Sequence, residues 1–347
     1  MAYKQSGTER IKDDRSVIFD NITATVERRE IGTQTLSNAY VAGGRIPSSP
    51  DPNNDINDID KFPFASDANA SATGGTLSVT MLTAAGLSSG SHGYTAGGLI
   101  PSNPAPTSRA TQIFKYPFAI SSGTSSSVGD LNRGRSEQSG INSAGEGFVA
   151  GGFGPGDATH PPTGNNSREF LEKFSFAYDG DATEIGDLQE PKRGGAPGNS
   201  QTHGYVAGGT GAPPTPATAR IRIEKFPFAI SSGTSTTVGN LTGNSYNQAG
   251  QSSSTHGYRA GGTDNSGPVN IIDKYPFSSD TDATDVGDIT AARTFLTGHS
   301  SSTHGYSSGG TPGFYFTIDK FPFSSDTNAS DVGDLVSGRY GTAGSQG

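Results

Sequence analysis

Three short blocks decide the fold: YRAGG (258–262), DKYPF (273–277) and VGDI (286–289). Versions of all three recur six times, in the same order, along the 347-residue chain. The first-block aromatics are Tyr40, Tyr94, Phe148, Tyr205, Tyr258 and Tyr306. The second-block aromatics are Phe62, Tyr116, Phe174, Phe226, Tyr275 and Phe321. The third-block glycines are Gly75, Gly129, Gly186, Gly239, Gly287 and Gly333. Such self-similarity predicts a repeat architecture.

The spacing between the blocks separates a framework from loops. The second-block aromatic and the third-block glycine lie 12 or 13 positions apart, and the next first-block aromatic follows that glycine by 19 positions every time. The step from the first-block to the second-block aromatic varies from 15 to 26 positions. Packed elements tolerate little change in length, whereas surface loops tolerate it well. We therefore predict that the variable segment is a surface loop.

Each repeat contains four predicted strands, which we name a to d. In the fifth repeat they cover 248–254, 258–260, 272–277 and 284–289, with a hairpin turn at 255–257. Six such units predict an all-β fold, a six-bladed β-propeller of four-stranded antiparallel blades. The predicted blades are 38–83, 84–137, 138–194, 195–247, 248–295 and 296–337.

Closing the ring requires one more strand. Residues 338–347 contain a strand a that no strand b follows. We expect this C-terminal strand to complete the first blade, because the ring then has no open edge. The alternative is that the N-terminus supplies the strand, since residues 20–24 resemble residues 287–291. With C-terminal closure, residues 1–37 form an extended N-terminal arm.

The order of the blocks resembles the kelch repeat. In that repeat an aromatic residue and Gly-Gly precede an aromatic third strand, a turn, a short fourth strand and a basic residue. Arg135, Arg293 and Arg339 each follow a third-block glycine by six positions, as the resemblance implies. The chain departs from the kelch pattern because it has no Trp. The resemblance covers residues 38–347 and implies architecture rather than activity, because propellers carry many unrelated functions.

Composition argues against several classes of function. The net charge of −9 and pI of about 5.1 disfavour nucleic-acid binding. The absence of cysteine excludes a disulfide scaffold, thiol catalysis and a thiolate metal site. The sequence shows no signal peptide and no apolar run that would insert into a membrane. No catalytic motif of the G-x-S-x-G or H-E-x-x-H type occurs, so we expect no enzyme activity and no cofactor.

Other repeated polar residues have structural interpretations. Four histidines, His92, His203, His256 and His304, fall at the same hairpin. The acidic turns at 280–282 and 326–328 resemble weak calcium loops, yet they lack the glycine and the terminal Glu of a full loop, so we predict no metal site. The strand-c lysines are expected to form a solvated ring that pairs with neighbouring acids, and the repeated aromatics to form the core between blades.

The variable loops between strands b and c are the predicted contact surface. Alternate turns of an up-and-down meander lie on opposite faces, so all the b–c loops share one face. They carry Pro, Asn, Arg and aromatic residues, a mixture suited to recognition; unconstrained drift is the alternative. The candidate binding residues are Arg45, Asn53, Arg109, Phe153, Asn165, Asn166, Arg220, Asp264, Asn265, Phe314 and Tyr315.

The sequence motifs THGY (303–306), DKFPFSSDT (319–327) and VGDL (332–335) resemble those of repeat proteins of marine bacteriophages, especially cyanophages. The resemblance implies a virion structural protein of the tail, a tail fibre or another surface appendage, assembled in the host cytoplasm in many copies. We expect the arm to bind other virion proteins and the b–c loops to contact a host-surface glycan or protein, or neighbouring virion proteins. The alternatives are a purely architectural adaptor in the tail or capsid and a glycan-binding or glycan-processing propeller.

Overall fold

The computed structural model describes residues 36–47, 54–100, 108–154, 167–211 and 221–347, together with two short strands near the N-terminus. The chain divides into two compact units, 1–34 and 35–347. In the first unit Arg10–Ile11 (β1) pairs antiparallel with Val17–Ile18 (β2). The rest of the predicted arm up to residue 35 lies outside the described residues. No helix in the described ranges is long and apolar enough to cross a membrane.

The second unit is a six-bladed β-propeller, which confirms the predicted fold. The strands of each blade follow from the innermost, a, to the outermost, d. Blade 1 contains β28 (Ala343–Gln346), β3 (Asn38–Ala42), β4 (Asp58–Pro63) and β5 (Ser71–Thr76). Blade 2 contains β6 (Ala85–Ser88), β7 (His92–Ala96), β10 (Gln112–Pro117) and β11 (Ser126–Asp130). Blade 3 contains β12 (Ser139–Asn142), β13 (Glu146–Ala150), β14 (Arg168–Ser175) and β15 (Thr183–Lys192).

The remaining three blades repeat the plan. Blade 4 contains β16 (Ala196–Asn199), β17 (His203–Ala207), β18 (Arg222–Pro227) and β19 (Thr236–Asn240). Blade 5 contains β20 (Ala249–Ser252), β21 (His256–Ala260), β22 (Ile271–Pro276) and β23 (Thr284–Asp288). Blade 6 contains β24 (Thr297–Ser300), β25 (His304–Ser308), β26 (Thr317–Pro322) and β27 (Ser330–Asp334). The b–c loop of blade 2 holds a small extra hairpin, β8 (Leu99–Ile100) with β9 (Ser108–Arg109).

The C-terminal strand closes the ring. β28 pairs antiparallel with β3, and Ser345 lies opposite Tyr40 in the register. Each strand a also contacts strand a of the blade on either side, so the inner strands form one continuous wall. The prediction of C-terminal closure is confirmed, and the N-terminal alternative is wrong.

The predicted hairpin turn at 255–257 is wrong by two residues. His256 is the first residue of strand b, and the turn lies before it, where the Ser253 N–H donates to the His256 carbonyl at 2.9 Å. Ser253 Oγ also accepts hydrogen bonds from the backbone N–H groups of Thr255 (3.3 Å) and His256 (3.0 Å). A serine side chain therefore supports the turn. Gly257 is needed for packing instead, because a Cβ there would come within 2.2 Å of the Tyr275 ring.

The second-block aromatics form the core between blades, as predicted, and each lies against strand a of the preceding blade. Side-chain size is matched across this contact. Tyr116 meets Ser345, with 2.7 Å between the two hydroxyl oxygens, and a Cβ at Gly198 would lie 2.4 Å from Tyr275 Oη. Phenylalanines meet larger residues: the rings of Phe62 and His299 are 5.3 Å apart, and the Leu87–Phe174 and Ile141–Phe226 pairs each share a cluster. The smaller strand-a side chains leave room for the tyrosine hydroxyls.

Buried ion pairs form a second set of contacts between neighbouring blades, beside the aromatic contacts. The cation comes six positions after a third-block glycine, and the acid lies two positions before the second-block aromatic of the next blade. The pairs of this kind are Arg135–Glu172 (3.3 Å), Lys192–Glu224 (2.6 Å), Arg293–Asp319 and Arg339–Asp60. At the blade 4–blade 5 contact the cation position holds Ser245, and Asp273 pairs instead with Arg259 of strand b of its own blade, at 2.9 Å. Between blades 1 and 2 the two positions hold Met81 and Phe114, which share an apolar cluster.

Candidate functional site

A polar channel runs along the propeller axis, with a cavity volume of about 190 Å³. Backbone groups and small polar side chains of the strands a line it. Near the a–b turns, side chains link one strand a to the next around the axis. The Gln346 N–H donates to Ser88 Oγ at 2.8 Å, and the Ser88 N–H donates to Asn142 Oδ1 at 2.9 Å. Equivalent bonds connect Asn199 to Ser252, Ser252 to Ser300, and Ser300 to Gln346.

The opposite end of the channel, on the b–c loop face, is surrounded by a different set of hydrogen bonds. Six residues there have left-handed backbone with φ between 54° and 66°, and we call them the mouth ring: Thr83, Glu137, Gly194, Asn247, Phe295 and Gly341. Each N–H donates to the carbonyl of the preceding member, at 2.6–3.0 Å, so the bonds form a complete circle. Left-handed backbone is unfavourable for Glu and Phe, and the circle of hydrogen bonds holds them in it.

The b–c loops begin at this mouth. The residue before each mouth-ring member forms an antiparallel bridge with the residue after Gly-Gly, and we call these twelve residues the rim. The bridges are Arg45–Tyr340, Leu82–Leu99, Ser136–Phe153, Arg193–Thr210, Tyr246–Thr263 and Thr294–Thr311. Two of the predicted contact residues, Arg45 and Phe153, therefore belong to the rim around the channel mouth.

Two guanidinium groups stack on one rim aromatic. The Cζ atoms of Arg109 and Arg193 lie 4.3 Å and 4.4 Å from the centroid of the Phe153 ring. Arg193 Nη1 lies 3.3 Å from Glu137 Oε1. Burial lowers the pKa of Arg109, while Glu137 acts in the opposite direction and Arg193 in the same one. Burial also raises the pKa of Glu137, against the effect of the two arginines. We call these four residues the rim cation cluster.

A row of three aromatic rings lies elsewhere around the channel mouth. The Tyr340 ring centroid is 5.9 Å from that of Phe295 and 5.5 Å from that of Phe314. Beside it, Arg45 donates two hydrogen bonds to Asp55, Nε to Oδ1 at 2.6 Å and Nη2 to Oδ2 at 3.0 Å. This hydrogen-bonded pairing raises the pKa of Arg45. The charge of Arg45 is thus already matched by a carboxylate in ideal fork geometry.

The other predicted binding residues are less connected to the mouth. The Tyr315 ring packs 5.4 Å from the guanidinium of buried Arg293. Asp264 Oδ1 accepts from the N–H groups of Ser266 (2.6 Å) and Gly267 (2.9 Å), so it supports its own turn. Asn265 is exposed in that turn. Four predicted residues lie outside the described part of the chain: Asn53, Asn165, Asn166 and Arg220.

Sequence reasoning missed Glu137 and Arg193. Both come from the d–a connections, whose fixed length is typical of the framework rather than of a contact surface. Their signal is a difference between repeats. Glu137 occupies the mouth-ring position that Thr83 and Gly194 occupy in other repeats, and Arg193 occupies the rim position directly before Gly194. Comparing equivalent positions across the repeats finds both residues.

On the opposite face, polar side chains bind one another. Strand-c lysines reach acids in the c–d turn of the next blade, at 2.9 Å for Lys115–Asp179 and 2.6 Å for Lys225–Asp280. The hairpin histidines each place Nδ1 2.8 Å from the hydroxyl of the preceding residue. Burial lowers their pKa most, and a nearby lysine lowers it further.

In the predicted calcium-like turn, Asp282 accepts from the Asn240 N–H at 2.9 Å. Within the described ranges, no group of three or more His, Asp or Glu side chains is placed to hold a metal ion.

No protein-family model and no curated protein sequence matches this chain. The kelch-like and phage resemblances therefore stay predictions from the sequence, while the six-bladed propeller is a property of the structure.

Proposed function

We propose that this protein is a non-enzymatic structural component of a bacteriophage virion, and that it makes its contacts through the rim and the b–c loops. The difference between the two faces carries this proposal. Charged side chains on the a–b face pair across blades, as Lys320 does with Asp67 at 2.7 Å. The b–c face holds stacked aromatic and cationic side chains around the channel mouth, together with all the large variation in loop length.

The closed ring suits such a role. Six blades, tied by buried ion pairs at four of their six contacts and by a complete circle of backbone hydrogen bonds, form a rigid support. Loops on a rigid support can vary in sequence without loss of the fold, and binding residues are commonly found in that position. The phage resemblance supplies the setting, and the arm supplies a second attachment segment.

The test is to locate the chain in purified particles by electron cryomicroscopy and to vary one face at a time. The rim variant Phe153→Ser/Tyr340→Ser is expected to lose its contact with the host surface or the neighbouring virion protein. The matched variant Lys115→Ser/Lys225→Ser on the opposite face is expected to keep it. Absence of the chain from purified particles would overturn the virion role. Contact loss in the lysine variant alone would overturn the assignment of the face.

A further inference from the structure

We infer that the rim cation cluster, built from Arg109, Phe153, Arg193 and Glu137, is a binding site for a carboxylate or sulfate group carried by a partner. The inference rests on the proposed contact role of the rim and names the chemistry that the rim recognises.

The charge balance of the cluster is the first argument. Two guanidinium groups face one carboxylate, so one positive charge has no matching acid within the cluster. The Glu137 side chain is 14% exposed and that of Arg193 is 27% exposed, so water screens these charges only in part. A half-buried cation without a counter-charge is costly, and a bound anion would remove that cost.

Unused hydrogen-bond donors are the second argument. In the described structure, the Nε atoms of Arg109 and Arg193 are buried and have no hydrogen-bond partner. Nearly all buried polar atoms in folded proteins have partners, so two neighbouring unsatisfied donors require an explanation. An oxyanion accepts from the Nε and Nη edge of a guanidinium in a fork geometry, which uses these atoms.

Other stacked or rim arginines show what a completed pairing looks like. Arg133 stacks 4.2 Å from the Phe170 ring, as Arg109 and Arg193 do on Phe153, but Arg133 Nη1 donates to Glu184 at 2.6 Å. Arg45, on the rim, is held by both oxygens of Asp55. The Nε atoms of the stacked arginines Arg135 and Arg293 are also buried without a partner, but each of these cations has its own carboxylate, Glu172 or Asp319. The excess of positive charge, together with two such donors on one ring, therefore belongs to the cluster. The Phe153 ring fixes both guanidinium planes, which lowers the entropy cost of binding.

The site can be tested by nuclear magnetic resonance on the full-length, ¹⁵N-labelled protein. The arginine Nε–H signals are assigned with the variants Arg109→Lys and Arg193→Lys. The protein is titrated with sodium glucuronate, with sodium sulfate and, at matched ionic strength, with sodium chloride and neutral glucose. We expect saturable shifts of both Nε–H signals with glucuronate or sulfate, and the stronger of the two identifies the anion. Arg193→Gln is expected to weaken binding about tenfold or more, because a charged hydrogen bond is lost.

Arg133→Gln is the matched control and is expected to leave the titration unchanged. No saturable shift with either anion, or equal shifts with chloride, overturns the site. The proposed contact role is tested separately on particles. If Arg109→Gln/Arg193→Gln abolishes anion binding while the contact with the partner persists, the anion site stands and its role in that contact is wrong. If this double variant loses the contact while the parent protein shows no saturable shift with either anion, the rim role stands and the anion site is wrong.

Discussion

Blade 1 meets its two neighbours through different chemistry. Toward blade 6, its strand c places Asp60 against Arg339 and Phe62 against His299, so a buried ion pair and a buried imidazole fill the contact. Toward blade 2, Met81 packs with Phe114, and the Tyr116 hydroxyl binds Ser345. One blade geometry therefore accepts a charged or an apolar solution at the same positions, provided that a buried acid keeps a cation partner, as Asp273 does with Arg259.

The largest expected effect comes from breaking the ion pair on one side only. Arg339→Met leaves the Asp60 carboxylate buried without its cation, and we expect a loss of about 3–5 kcal/mol in the free energy of unfolding. Arg339→Met/Asp60→Phe copies the Met81–Phe114 solution and should recover most of that loss. Denaturant unfolding at neutral pH measures both. A double variant as unstable as the single one would show that the two solutions are not interchangeable.

The second prediction concerns the imidazole at the blade 6–blade 1 contact. His299 is 1% exposed, and burial lowers its pKa from 6.5 to about 3. The unfolded chain takes up this proton below pH 6.5 while the folded chain does not, so stability falls as the pH drops from 6.5 towards 3. His299→Leu, which copies the Leu87–Phe174 contact, should be about 2–3 kcal/mol more stable than the parent at pH 4.5.

At pH 7.5 His299→Leu should differ from the parent much less. Thermal or denaturant unfolding at the two pH values checks this. The hairpin histidines have pKa values lowered in the same direction and are present in both proteins, so the difference between parent and variant isolates His299. An equal difference at both pH values would contradict the titration argument.

The third prediction tests size matching at the blade 1–blade 2 contact. Ser345→Leu brings a larger side chain against the Tyr116 hydroxyl, and overpacking of this kind should cost about 2 kcal/mol. Ser345→Leu/Tyr116→Phe recreates the Leu87–Phe174 combination and should restore most of the stability. A double-mutant cycle of unfolding free energies gives the coupling, and a coupling near zero would show that the two side chains do not compete for space.

The smallest effect is expected at the surface of the blade 6–blade 1 contact. Lys320 pairs with Asp67 at 2.7 Å, but the Asp67 side chain is 56% exposed. Lys320→Met should change the free energy of unfolding by less than about 1 kcal/mol, and added salt should shrink the difference further. Unfolding curves at low and high salt make the comparison. A loss as large as that of Arg339→Met would mean that burial does not set the energetics of these pairs.

The repeat spacing predicts the blades and the C-terminal closure because packing fixes the length of the framework. It does not predict the buried acids, because Asp60 and Lys61 are adjacent in sequence and together resemble surface charge. Strand alternation separates them: Asp60 lies on the same side of the strand as Phe62, while Lys61 points the other way. The same cue applies to Asp319 beside Phe321.

The candidate site is predictable in part. Loop composition identifies Arg45, Arg109, Phe153 and Phe314, and the structure places them around the channel mouth. It does not identify their partners, because contacts such as Phe153 with Arg193 join separate repeats, and a period along the chain carries no information on which side chains meet across blades.

The mouth ring bears on how such a gene can change. Six links of 2.6–3.0 Å make a circle whose circumference depends on the number of repeats, so a duplicated or deleted repeat changes the angle between every pair of neighbouring blades. Copy number is therefore constrained by the hydrogen bonds of this circle and by the packing between neighbouring blades. Insertions after Gly-Gly meet no such constraint, and new specificity in this lineage is expected to arise there, by lengthening a loop rather than by adding a blade.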